Sequence, residues 1–93
     1  MKITPDIIRH EFIGTQARII QSPHIGYLGL AGPVIAETKN TLTLIHQGQP
    51  KSVIKDLASF DFEFNDGTTV NIDGKLLVGR SEDRLKKSVK RLW

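Results

Sequence analysis

Cysteine is absent from the 93 residues. Neither a disulfide nor a thiolate metal site can therefore hold the fold together. Long apolar runs are absent as well. The longest are a few residues, against the ~20 that a membrane helix needs. Nothing reads as a signal peptide. The expectation is a cytoplasmic protein with no membrane contact. The 93 residues are expected to form a single domain. A chain of this size buries roughly 60–65% of its unfolded surface, which sustains one core but no deep cleft.

The usual catalytic patterns are missing too. His10-Glu11 begins like a zinc-protease HExxH, but Gly14 stands where the second histidine belongs. His10, His24 and His46 show no ligand spacing. Lone histidines of this kind are usually structural or solvated. Gly26, Gly29 and Gly32 fit neither phosphate-loop pattern, and no helix follows them. They read better as bends in a strand.

What is present is a strand pattern. Aromatics are scarce, at 6% of the chain, yet Phe60, Phe62 and Phe64 alternate with Ser59, Asp61 and Glu63. That is a strand with one buried face. Asn65-Asp66-Gly67 is a hairpin turn, and Val70 and Ile72 return inward. Earlier, residues 15–21 read as a strand with Ala17 and Ile19 on one face. Residues 26–36 read as one long, glycine-bent strand. Glu37-Thr38-Lys39-Asn40 is a polar turn before a strand over 41–46, with Leu42 and Leu44 inward. Gln47 to Pro50 turns into a short strand over 51–55 around Val53. Asp73-Gly74 turns into a last strand over 75–79. Five to seven short strands without an intervening helix predict a mainly β fold. The architecture expected is a small Sm-like or SH3-like antiparallel barrel, with an OB-fold as the rival.

Residues 1–14 read as an N-terminal helical segment. The helix covers 3–14, with Thr4 as cap, Pro5 in the first turn and Gly14 as a left-handed stop. Ile8 and Phe12 share a face. Residues 15–79 form the barrel, and 80–93 a basic C-terminal helix capped by Ser81. The tail carries Arg80, Arg84, Lys86, Lys87, Lys90 and Arg91 against Glu82 and Asp83, a net +4. The whole chain is +3, so residues 1–79 stand at −1. One cationic element on a near-neutral body invites a polyanion, although solubility alone can also place lysines on a helix. Asp61, Glu63, Asp66 and Asp73 read as a solvated acidic face rather than a metal site.

Four pieces in order carry a resemblance. They are His10-Glu11-Phe12-Ile13-Gly14; Ser22-Pro23-His24-Ile25-Gly26-Tyr27-Leu28-Gly29-Leu30; Glu37-Thr38-Lys39-Asn40-Thr41-Leu42; and Asp73-Gly74 with Gly79-Arg80-Ser81-Glu82-Asp83-Arg84. With them the chain resembles the protein component 1 family of archaeal ribonuclease P, from near residue 10 to the C-terminus. Ser81 departs from the proline expected there in many members, and both residues suit a helix start. The resemblance implies a small Sm-like barrel. It implies an RNA-binding subunit that assists a catalytic RNA in removing the 5′ leader from precursor tRNA. No catalytic residue and no cofactor are then expected in this chain, because magnesium would be bound by the RNA. The implied partners are the specificity domain of the ribonuclease P RNA, a zinc-ribbon protein subunit and, indirectly, precursor tRNA.

On that reading Arg80, Arg84, Lys86, Lys87, Lys90 and Arg91 contact phosphates, which position without reading sequence. Thr38, Lys39 and Asn40 add sugar or phosphate contacts. Ile7, Ile8, Phe12, Tyr27 and Leu28 are candidates for the partner protein, with the barrel's own core as the competing role. Two other functions remain on sequence grounds: a ring-forming Sm-type or ribosomal barrel unrelated to tRNA processing, and an independent nuclease.

Overall fold

The computed structural model describes residues 11–79 together with Arg84. Both terminal helices expected from sequence lie mostly outside these residues. Of the N-terminal one, only residues 11–14 are described, and they form a turn rather than a helix. Gly14 does adopt the left-handed conformation expected of it, at φ +93°. Arg84 is helical.

The described chain is mainly β. Six strands run as β1 (Gln16–Gln21), β2 (Ala31–Glu37), β3 (Thr41–His46), β4 (Gln49–Ile54), β5 (Ser59–Glu63) and β6 (Thr69–Asp73). They form one antiparallel sheet in the order β4-β3-β2-β1-β5-β6. This is the Sm-like, SH3-like arrangement expected, with one difference. Among the described residues no ladder joins β4 to β6, so the sheet is not closed.

The core follows from the period-2 pattern. Ala17 and Ile19, Leu42 and Leu44, Phe60 and Phe62, and Val70 and Ile72 are all buried. Register brings these faces together. Ile19 opposes Phe60, Phe60 opposes Ile72, Val34 opposes Leu44 and Leu42 opposes Val53. Phe12 closes one end, with its ring 4.3 Å from that of Phe62. Cross-strand pairs of this kind are the unit of sheet stability.

Three expectations are corrected in detail. The long strand read over 26–36 begins only at Ala31; before it, Ile25–Tyr27 is a single 3-10 turn. The strand read over 75–79 is instead a 3-10 turn at Gly74–Leu77. The loop before β4 is two residues long, not four. Gln47 and Gly48 both have positive φ, at 51° and 78°. Two such residues form the hairpin turn whose twist matches that of the flanking strands. Pro50 then falls in β4, a strand at the sheet's edge, where a missing N–H is tolerated.

Two bulges bend the sheet, between Ile19 and Gln21 and between Val34 and Ala36. The second has a chemical consequence. Val34 opposes Leu44, yet Glu37 opposes Leu42. Three steps along β2 are matched by two along β3. The extra residue reverses the inward–outward parity of β2 and turns Glu37 towards the interior.

Candidate nucleic-acid interface

Glu37 ends β2 with its side chain only 6% exposed. Two cations converge on it. Arg84 Nη1 donates to Glu37 Oε2 at 2.7 Å and Arg84 Nη2 to Oε1 at 3.3 Å. Lys55 Nζ lies 3.1 Å from Oε2. Lys55 and Arg84 are both fully buried. The fork of a guanidinium matches a carboxylate with two parallel bonds, which a lysine cannot do.

Three charges sum to +1, and burying them without water is expensive. Backbone carbonyls offset part of that cost. Lys55 Nζ donates to Thr38 O at 2.8 Å, to Lys39 O at 3.4 Å and to Gly79 O at 2.8 Å. Arg84 Nη1 donates to Leu77 O at 3.0 Å and Gly79 O at 2.6 Å. The guanidinium carbon sits 5.6 Å from the centre of the Phe12 ring, within cation–π range. Among the described residues no buried side-chain nitrogen or oxygen lacks a partner.

Local structure explains how Lys55 reaches this point. Val53 faces the core, and Lys55 is two residues on, on the same parity. It opens a 3-10 turn, Lys55–Leu57, that packs on the turn at Gly74–Leu77. The Gly74 N–H donates to Ala58 O at 2.8 Å. A Cβ on Gly74 would overlap Lys55 O and Ala58 O, so only glycine allows this approach.

The 38–40 turn lies above the cluster. Thr38 N donates to Thr41 O at 3.0 Å, and the two threonine hydroxyls are 2.6 Å apart. Lys55 N donates to Asn40 O at 2.8 Å, and Gly79 N to Lys39 O at 2.6 Å. The carbonyls of Thr38 and Lys39 thus turn inward, and Thr38, Lys39 and Asn40 are exposed. These three residues are placed where an anion could reach them.

Two of the residues predicted from sequence are elsewhere. Arg84 is not a surface cation: it is buried with its donors committed to Glu37 and to two carbonyls, so no phosphate can reach it. Phe12 is not a partner contact either, because it is fully buried in the core. Tyr27 is half-buried against the core and stacks on His24 with ring centres 4.3 Å apart. Leu28 is 49% exposed and rims an open concavity with Asp56, Asp73 and Lys75. Ile7, Ile8, Arg80, Lys86, Lys87, Lys90 and Arg91 lie outside the described residues.

Sequence reasoning missed Glu37 and Lys55. A signal was available for Lys55, whose parity matches that of Val53. None existed for Glu37 without knowledge of the bulge. Of the four acidic residues read as one face, Glu63 and Asp66 are exposed and Asp61 and Asp73 are half-buried. Asp61 accepts from Arg18 and Asn71, Asp66 from Thr68 N and Asp73 from Lys75 N.

Comparison with known proteins identifies the family. The sequence model described as Ribonuclease P/MRP, subunit p29 matches residues 5–87. "Ribonuclease P protein component 1" of Pyrococcus furiosus is 46% identical over 82 residues, which cover 88% of this chain and 65% of that protein. The chain therefore spans a little under two thirds of that relative. The protein of the same name from Methanocaldococcus jannaschii is 43% identical over 93 residues, covering 98% of this chain and 97% of the relative. A solved structure, Mth11, described as a homologue of human RNase P protein Rpp29, superposes with a TM-score of 0.61 at 42% identity. It covers 81% of this chain and 97% of that one. The chain belongs to the ribonuclease P/MRP subunit p29 family.

Proposed function

We propose that this chain is an RNA-binding protein subunit of ribonuclease P, acting in removal of the 5′ leader from precursor tRNA. The observation that carries this reading is the family match over residues 5–87, joined by the likeness to a solved homologue of an RNase P protein. The relatives favour it over a ring-forming barrel. In this proposal the RNA subunit carries the catalysis and binds the magnesium. The chain's own work is to hold RNA in place.

The geometry supports a division of labour. Lys39 and Asn40, with Thr38, present an exposed and rigid turn. Arg80, Lys86, Lys87, Lys90 and Arg91 supply the remaining positive charge for phosphates. Arg84 leaves that set. A zinc-ribbon protein subunit is the proposed partner, met by Ile7, Ile8 and the exposed Leu28. The specificity domain is the proposed RNA target, precursor tRNA is engaged only indirectly, and the cytoplasm is the expected site of action.

Reconstitution tests this reading. Precursor-tRNA cleavage is measured with the RNA subunit and the remaining protein subunits, with and without this chain. Omission should lower the rate or raise the magnesium concentration needed. Identical rates and magnesium dependence would remove the proposal.

A further inference from the structure

We propose that Glu37, Lys55 and Arg84 are positioning residues for RNA. The buried carboxylate fixes the 38–40 turn against the start of the basic segment, so that both meet one run of phosphates as a single surface. This rests on the RNA-binding reading above.

Stability alone is a poor reason for this cluster. It lies beside an apolar core, where hydrophobic residues of similar volume often serve equally well or better. What the ionic version adds is connection. Lys55 Nζ bonds Thr38 O on one side and Gly79 O on the other, each at 2.8 Å. Gly79 N returns a bond to Lys39 O at 2.6 Å. Arg84 then grips both Gly79 O and Glu37. Together these contacts link the 38–40 turn, directly or through Lys55 and Glu37, to the segment that leads into the tail.

The outward consequence follows from chain geometry. Because the turn's carbonyls point in, the Lys39 and Asn40 side chains are exposed. Lys86 and Lys87 follow Arg84 by two and three residues. Two sets of cations on a common anchor avoid much of the ordering cost that each would incur if independent.

The test turns on a sign. Glu37→Gln makes the protein more positive by one unit. If charge acted only through its field, affinity for the ribonuclease P RNA would rise. Positioning predicts the opposite: affinity falls by about tenfold or more. The slope of log affinity against log salt should also shrink by more than the ~0.7–0.9 contributed by one phosphate contact. Amide exchange at Gly79, whose N–H bonds Lys39 O, should speed up while the amides of β5 stay protected. Should Glu37→Gln fail to fold, Arg84→Lys carries the same prediction, since it keeps the charge and loses the fork. Equal or tighter binding, or weaker binding at an unchanged slope, overturns the positioning role. A wild-type chain that does not bind the RNA would instead overturn the functional reading.

Discussion

Two neighbouring parts of the described interior, an apolar end and an ionic end of one packed cluster bridged by Phe12, are built on opposite principles. Towards β5 and β6 the interior is aromatic and aliphatic, with Phe60 and Phe62 against Ile72 and Val70. Towards the end of β2 it holds a carboxylate, an ammonium and a guanidinium. Both ends are closed to water. The apolar end gains free energy from each side chain it buries, by about 1.5–3 kcal/mol for a large one. The ionic end gains little net and is sensitive to any loss, because each partner makes the others tolerable. One region tolerates change in proportion to volume. The other responds to whether its charges still match.

The largest effect that would expose this difference is Glu37→Ala. It removes the centre of the cluster and leaves two buried cations facing each other. Breaking a buried pair by deleting one partner typically costs about 3–5 kcal/mol, a large share of the 5–15 kcal/mol expected for a domain of this size. Denaturant midpoints would measure it. A loss below about 1 kcal/mol would mean that water reaches the cluster.

A smaller and more pointed loss is expected when all three members are replaced together, as Glu37→Met, Lys55→Met and Arg84→Met. The charges vanish, so nothing remains to repel. The carbonyls of Thr38, Leu77 and Gly79 do lose donors, while Lys39 O keeps the bond from Gly79 N. Unsatisfied buried acceptors cost about 1–3 kcal/mol. Replacing a whole buried ionic triad by apolar residues of similar volume is nonetheless often neutral or stabilising, so the triple variant should be more stable than Glu37→Ala, although it carries three changes to one. If it proves less stable, the cluster contributes net stability and the contrast with the apolar end fails.

The same contrast governs what the sequence allowed to be read. The apolar end was legible because alternation is local: Phe60, Phe62, Val70 and Ile72 declare their face within a few residues. The two-residue loop at Gln47-Gly48 was not, because glutamine is an unusual choice for positive φ. The ionic end was illegible for a stronger reason. Its members are Glu37, Lys55 and Arg84, separated by 18 and 29 positions, and charge by itself reads as surface. Only the bulge before Ala36 turns Glu37 inward. No periodicity reports a bulge in advance. Arg84 was consequently counted with the exposed cations of the tail. Phe12 stood open between a partner contact and the core for a related reason, since its face depends on how residues 11–15 turn onto the sheet. The sites at Thr38, Lys39 and Asn40 were legible as a polar turn, but not the inward hydrogen bonds that give the turn its shape.

The smallest effect belongs to a pair that shares the chemistry of the cluster without its burial. Arg18 Nη2 lies 3.3 Å from Asp61 Oδ2, with the arginine side chain 65% exposed. Asp61 also accepts from Asn71 Nδ2 at 3.1 Å, so it is not orphaned if Arg18 is lost. Water and salt screen such a pair, and its worth is about 0–1 kcal/mol. Arg18→Ala should therefore shift the denaturant midpoint barely at all. What shift there is should shrink further in ~1 M salt, where the screening length falls to roughly 3 Å. Glu37→Ala should keep its cost at both salt concentrations, because ions do not enter the cluster. Parallel salt responses from the two variants would show that burial is not what separates them.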